Sequence, residues 1–407
     1  MICKLSEILD WERKIDLERY EKDVLDIIQD VKERGDESLI ELTKKFDRVE
    51  LEELLVTNEE FDEARELIEP DELKALEKAR ENIEFYHRNQ IKKRKWSYER
   101  DGIILGRIVK PIESVGLYVP GGRASYPSTA LMAAIPAKIA GVRHIIACTP
   151  PSSDGRANPY VLTALSLCGV KKVAKVGGAQ AVAAMAFGTE SIPSVRKIVG
   201  PGNIYVTVAK MLLQNHVSID FPAGPSEILI IADETANPRF LAIDMLAQLE
   251  HDPLAIAVLL CTSMNMAKKV EKEIRKHVFP IDRWKIAVVR TVEEGIEVAN
   301  KFAPEHLTLA VENPKSFLEM VENAGSVFLG HYSPVAAGDY MTGTNHILPT
   351  SGYASLYSGL GVDHFIKFIS YQLISREALE MMGEDIMTLA EIEGLKFHGY
   401  SVKERLE

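Results

Sequence analysis

Apolar positions along this chain follow two rhythms, and the change from one to the other predicts its layout. In IDLERYEKDVLDIIQDVKERG (residues 15–35) and DELKALEKARENIEFYHRNQ (71–90) they recur every three to four residues amid dense charge, the pattern of amphipathic helices. Gly35 suits the position just past a helix end, and Pro70 with Asp71 suits a helix start. From about residue 104, short apolar runs end at Gly and lead into helical stretches. VGLYVPGG precedes STALMAAIPAKIAGV; HIIACTPP follows, then VAKVGGAQAVAAMAFG and KIVGPGNIYVTVAKMLL. Strand, Gly turn, helix, repeated, predicts a parallel α/β sheet. After Asp220 the same grammar returns in FPAGPSEILIIAD, the helix NPRFLAIDMLAQLEHDP, and strands in IAVLLCTS, IAVVRTV, HLTLAV and SVFLGH.

The expected organisation is therefore α/β, with two similar parallel-sheet Rossmann-like domains, a helical amino-terminal region and a carboxyl-terminal tail. Residues 1–114 form the helical region, expected to pack on the second domain. Residues 115–224 form the first sheet domain and 225–370 the second. Residues 371–407 read as a helix over SREALEMMGEDIMTLAEIE, a break at Gly394, and a short last helix started by a Ser401–Glu404 capping box. Such a tail has too little core to stand alone and is expected to dock, with a partner chain as one acceptor.

Composition narrows the function. At 407 residues with 46% apolar and 27% charged content, the chain can bury sizeable cores, and its net charge of −12 disfavours nucleic acid or an anionic membrane as main partner. The basic run Lys92 to Lys95 sits in so acidic a segment that it reads as a solvated face. MICKLSEILDWERK carries no apolar signal core and no run approaches the ~20 residues of a membrane span, which points to the cytoplasm. Cys3, Cys148, Cys168 and Cys261 form no CxxC pair, so reduced thiols are expected.

Several stretches could carry chemistry. The turns at Gly121-Gly122, Gly177-Gly178 and Gly200-Pro201-Gly202 lie where strands of a parallel sheet meet nucleotides; GxGxxG is absent and each alone is explicable as an ordinary βα turn, but together they favour a dinucleotide site. GDYMTGTNHILP (338–349) packs Asp339, His346, two Thr and an Asn into a segment without helical or strand rhythm, as a binding loop or a polar surface loop would. Gln248 and His251, three apart at a helix end, could converge on one ion or simply close the helix. Glu305 and His306 adjoin just before a strand. They reach one site only if Pro304 makes the backbone irregular, and together they supply a proton acceptor and a water activator. Cys148 could serve as a nucleophile toward an aldehyde, but its neighbours Ala147 and Thr149 offer nothing to lower its pKa. His87, His144, His216, His277, His331 and His364 receive no role.

Taken together, VGLYVPGGRASYPS, VGGAQAVAAMAFGT, VGPGNIYV, DFPAGPSEILIIAD, AQLEHDP, APEHLTL, GDYMTGTNHILPTSGYA and EGLKFHGYSV resemble, in order, the motifs of the histidinol dehydrogenases, from about residue 115 to the end. The resemblance implies aldehyde-dehydrogenase-like domains, and oxidation of L-histidinol to L-histidine with two NAD+ through an unreleased aldehyde. It further implies one Zn2+ per subunit, held by Gln248, His251, Asp339 and His398; NAD contacts at Tyr118, Gln180 and Asn203; and substrate contacts at Ser226, His346 and Glu393, with His306 and the zinc ligands also close to the substrate. Glu305 and His306 would be the catalytic pair. Glu393 and His398 would reach the neighbouring subunit of a homodimer. A metal-free, Cys148-dependent aldehyde dehydrogenase and a non-enzymatic metal-binding receptor are the alternative classes.

Overall fold

The computed structural model describes residues 1–13, 18–90, 95–121, 125–277 and 282–407; the basic run, apart from Lys95, and Gly122 of the first glycine pair lie outside the described residues. Contacts divide the chain into two compact units, residues 1–90 with 113–364, and residues 91–112 with 365–407.

The first unit opens with five helices: α1 (Leu5–Leu9), α2 (Glu18–Arg34), α3 (Asp36–Phe46), α4 (Asn58–Glu66) and α5 (Pro70–Arg88). Gly35, at φ 57°, separates α2 from α3, and α5 begins at Pro70 as its sequence predicts. The helices were expected to pack on the second sheet domain, and for α2 to α5 the structure differs. Val24, Ile27, Ile28 and Val31 of α2 and Leu39 and Leu42 of α3 share one core with residues 174–217 of the first sheet domain, while α4 and α5 pack on its helices. The physical reason is the Ala-rich surface there, whose small side chains let an apolar helix stripe approach closely. Among the described residues, the amino-terminal stretch 1–13 reaches the second sheet: Ile2 bridges to Ile286, Ile8 is buried among that sheet's side chains, and Arg13 pairs with Glu227.

The strands β1 (Lys95–Arg100) and β2 (Ile103–Pro111) belong to the second unit and stand where helix was expected up to residue 114. They form an antiparallel hairpin turning at Asp101 and Gly102, both at positive φ (52° and 76°). Asp-Gly is the residue pair that such a two-residue turn demands, so the signal was present in the sequence.

The first sheet domain carries β3 (Ser114–Tyr118), α6 (Pro127–Ala140), β4 (His144–Cys148), α7 (Pro159–Leu167), β5 (Lys172–Ala174), α8 (Gly178–Phe187), β6 (Lys197–Val199), α9 (Ile204–Leu212) and β7 (Ser218–Ile219). Its strands are all parallel in the order β5-β4-β3-β6-β7. The second carries β8 (Glu227–Ala232), α10 (Pro238–Leu249), β9 (Ile256–Cys261), α11 (Met264–Ile274), β10 (Trp284–Val288), α12 (Val292–Phe302), β11 (His306–Ala310), β12 (Ser326–Leu329) and α13 (Val335–Tyr340). It is parallel in the order β10-β9-β8-β11-β12. Each residue of β8, β9 and β11 is buried, as expected of parallel strands covered on both faces. Both orders reverse direction beside their first strand, the position where open α/β sheets take ligands.

In the second unit β13 (Ile366–Ile374) pairs antiparallel with β2, and α14 (Arg376–Ile392) and α15 (Lys396–Leu406) pack on each other. Gly394, at φ 71°, makes the expected break. The Ser401 capping box is a correction: α15 starts at Lys396, so Ser401 lies inside the helix, where its Oγ accepts from Arg405 at 3.0 Å.

Candidate active site

Two sets of polar groups stand out, one at the carboxyl end of the first sheet and one at the amino end of the second. In the first, Tyr118 ends β3 and its hydroxyl accepts the Gly178 N–H at 3.0 Å, at the start of α8. Gln180 follows in the first turn of α8, fully buried. Asn203 caps α9, accepting the N–H groups of Tyr205 and Val206 at 3.0 and 3.2 Å. Tyr118 and Asn203 thus flank the switch between β3 and β6. Gly200 could not be another residue: at φ 120°, a Cβ there would sit 2.1 Å from the Tyr118 carbonyl oxygen. Asp220 accepts the Gly200 N–H at 2.8 Å, and Lys210 donates to the Gly200 carbonyl at 2.9 Å, pinning the turn. Such a Gly-lined, pinned strand end is open to the close approach of a dinucleotide's phosphates.

The second set gathers where β8, β9 and β11 begin. Ala303 ends α12 in the left-handed region (φ 49°), and this irregular turn carries Pro304 and Glu305 into β11, so that Glu305 and His306 are both buried and Glu305 Oε2 lies 3.6 Å from His306 Nδ1. The irregularity that the sequence required of Pro304 is therefore present, one residue earlier. The backbone N–H of Glu227 donates to Glu305 Oε2 at 2.8 Å, and the Ser226 hydroxyl also hydrogen-bonds the carboxyl. Burial raises the Glu305 pKa well above the usual carboxylate range; Glu227 and Asp339 add to the rise. His306 moves the other way, to about 3, because burial and then the charges of His251 and His346 oppose a proton on it.

Gln248 is the penultimate residue of α10, and His251 lies two residues beyond the helix rather than on its face. Gln248 is buried, yet among the described residues neither atom of its amide finds a hydrogen-bond partner, nor does either ring nitrogen of His306. His251 keeps an exposed edge, although surrounding protein lowers its pKa.

The segment 338–349 departs from its expected irregularity at one end, since Gly338, Asp339 and Tyr340 complete the short helix α13. Burial lifts Asp339 to about 7. His346 is held at both nitrogens: Nδ1 lies 3.1 Å from the Asp339 carbonyl, and Nε2 lies 2.9 Å from the Thr129 hydroxyl of α6. A carbonyl can only accept, so Nδ1 carries the hydrogen and Thr129 donates to Nε2. Thr129 is a site neighbour that sequence reading missed; nothing in STAL distinguishes its hydroxyl. Asn345 donates to the Met132 carbonyl at 2.8 Å and lies 3.4 Å from His87 Nε2, so the loop bridges the two sheet domains, with a buried His87 beneath it. Burial pushes the His346 pKa to about 4.

Glu393 and His398 belong to the second unit, both exposed, at the end of α14 and in α15. Among the described residues, no three His, Cys, Asp or Glu side chains form a metal cage. His251 and Asp339 supply two such groups in the first unit, with Gln248 as a third donor of another kind. A buried amide lacking partners and a carboxylate lifted by burial are both relieved by a cation, so this donor set fits a metal ion. Cys148 is wholly buried and its thiol is pushed up to about 12, which leaves it inert as a nucleophile.

A family model described as histidinol dehydrogenase matches residues 11–406. A histidinol dehydrogenase of Archaeoglobus fulgidus is 51% identical over 403 residues, covering 99% of this chain and 100% of the relative. One from Methanocaldococcus jannaschii is 49% identical, covering 97% and 94% respectively. The crystal structure of histidinol dehydrogenase from Elizabethkingia anophelis superposes with a TM-score of 0.93 at 40% identity, over 100% of this chain and 96% of the other.

Proposed function

The chain belongs to the histidinol dehydrogenase family of NAD-dependent oxidoreductases, and from that premise we propose that it catalyses the four-electron oxidation of L-histidinol to L-histidine, the last steps of L-histidine biosynthesis. Two NAD+ are used in turn, and L-histidinaldehyde stays bound between them. The observation that carries this reading is the buried cluster at the amino end of the second sheet: Gln248 and His306 without partners, and Glu305 and Asp339 with raised pKa values. A structural core would have paired or excluded these groups.

Gln248, His251, Asp339 and His398 would hold one Zn2+ per subunit; when bound, zinc supplies a redox-inert Lewis acid that orients the substrate, and NAD+ accepts the hydride. Burial keeps the His306 imidazole uncharged, so it accepts the alcohol proton as hydride leaves and acts again in the second oxidation. Glu305 takes the proton of the water that adds to the aldehyde; its raised pKa makes its ionised form a stronger base than an exposed carboxylate. Ser226, His346 and Glu393 contact the substrate, and the two hydrogen bonds that hold the His346 ring fix the face it presents. Tyr118, Gln180 and Asn203 contact NAD at the first sheet's switch point.

The site is completed in a homodimer, where Glu393 and His398 serve the partner's cluster. Support comes from the apolar side chains that α14 and α15 leave in water, Ile392 at 75% and Phe397 at 83% exposure. The charge of −12 supports a small-molecule substrate over nucleic acid. No helix among the described residues is long and apolar enough to cross a membrane. We place the enzyme in the cytoplasm, with domain limits near residues 114, 224 and 370.

The test is histidinol-dependent NADH formation before and after chelation. Activity lost with the metal and restored by zinc is expected; full activity in metal-free protein would contradict the zinc assignment, and none under any condition the reaction itself.

A further inference from the structure

The turn that presents Glu305 is gripped from far away in the chain. Arg13 lies 214 residues before Glu227, and its Nη1 donates to both Glu227 carboxylate oxygens at 3.0 and 2.9 Å. Its Nη2 donates to the Phe302 carbonyl at 2.5 Å, and its guanidinium lies over the Phe302 ring, 3.6 Å from the centroid. Phe302 is the last residue of α12; Ala303, Pro304 and Glu305 follow. Glu227 in turn gives its backbone N–H to Glu305 Oε2, while its carboxylate also accepts the Ser351 N–H at 3.0 Å. The guanidinium therefore ties down the chain just before Glu305 and the residue that hydrogen-bonds its carboxyl.

Simple fold stabilisation is a poor account of this arrangement. Glu227 is almost wholly buried beside a second carboxyl, and a buried ion pair of this kind is commonly replaceable by apolar packing without loss of stability. A planar fork reaching three acceptors supplies direction instead, which an ammonium or an apolar side chain cannot.

We propose that Arg13 is a positioning residue for Glu305: by clamping the Glu227 carboxylate and the Phe302 carbonyl together, it sets the angle at which the Glu305 carboxyl meets the water that hydrates the bound aldehyde. The inference rests on the reading of Glu305 as the group that activates this water. Arg13 touches neither substrate nor cofactor in this scheme. Its effect falls on the second half of the reaction, because His306, which accepts the first proton, lies in regular β11 beyond the clamped turn.

The experiment compares wild type, Arg13→Gln and Arg13→Lys in the zinc-loaded full chain, following the two phases of NADH formation in a single turnover with histidinol and saturating NAD+. Thermal unfolding is recorded for each. The second phase is expected to slow about 10- to 100-fold in Arg13→Gln, the range that a small misplacement of a reacting group costs. The first phase should stay within about threefold and KM for histidinol should change little, with Arg13→Lys intermediate. Equal slowing of both phases, unchanged turnover, or variants that only unfold would overturn the proposal and leave Arg13 a role in the fold alone. A wild-type chain that forms no NADH from histidinol would instead remove the functional reading on which it rests.

Discussion

At the scale of single residues, the informative signal is a polar group that is buried and unsatisfied. Each such group costs roughly 1–3 kcal/mol, so a cluster of them persists only where a ligand repays it. Gln248 is the sharpest case, with both amide atoms unpartnered. Replacing it with Leu removes two orphaned atoms while keeping the apolar bulk. Zinc content, measured after dialysis, is expected to fall from about one ion per chain to less than about a tenth, since a ligand set reduced by one loses most of its affinity. The metal-free variant should melt no lower than metal-free wild type. Zinc retained in full would strike Gln248 from the ligand set. Sequence could supply these residues as types, Gln and His three apart and Glu beside His, but it could not say which were orphaned. That property belongs to the surroundings: Thr129, 217 residues before His346, occupies one histidine's Nε2, whereas among the described residues none hydrogen-bonds a ring nitrogen of His306. Arg13 was illegible for the same reason, because its partners are Glu227 and Phe302, both far along the chain.

At the scale of elements, period and turn chemistry made most of the fold legible. The strand–Gly–helix grammar corresponds to nine of the thirteen strands among the described residues, all in the two parallel sheets; the two-residue β7 at the edge of the first escaped it. Three others were harder to read. β1 and β2 lie between the charged helices and the first parallel strand, and only Asp101-Gly102 marks their turn. β13 has no sequence neighbour to pair with, because β2 lies more than 250 residues earlier. The last helices show what local pattern cannot settle: Ser401 and Glu404 have capping spacing, yet α15 already runs through them from Lys396. That helix carries His398, and its exposed face supports docking on a partner. Co-expressing a His306→Asn chain with a His398→Asn chain should yield mixed dimers in which one site has both groups intact. Activity is expected at about a quarter of wild type if the chains pair at random, against at least about 100-fold less in either parent homodimer. Mixed dimers no more active than the parents would contradict a shared site.

For the whole molecule, the arrangement joins two ends of two similar sheets. The first offers its carboxyl end, where Tyr118 and Asn203 flank the switch point. The second offers its amino end, where Ser226, Glu305 and His306 begin or precede strands. The loop 338–349 crosses between them, anchored through Asn345 and His346 on α6 and through Asp339 on α13. An oxidation needs a hydride acceptor on one side of the substrate and acid–base groups on the other, and under the proposed reading NAD at the first end and Glu305 with His306 at the second would supply them. The central claim is that one site performs both oxidations without releasing the aldehyde. Counting NADH formed per histidinol consumed, with the product identified chromatographically, tests it most directly. The account predicts two NADH for each histidinol, with histidine as the only product even when an aldehyde trap is present. One NADH per histidinol, or aldehyde captured by the trap in step with NADH, would contradict it.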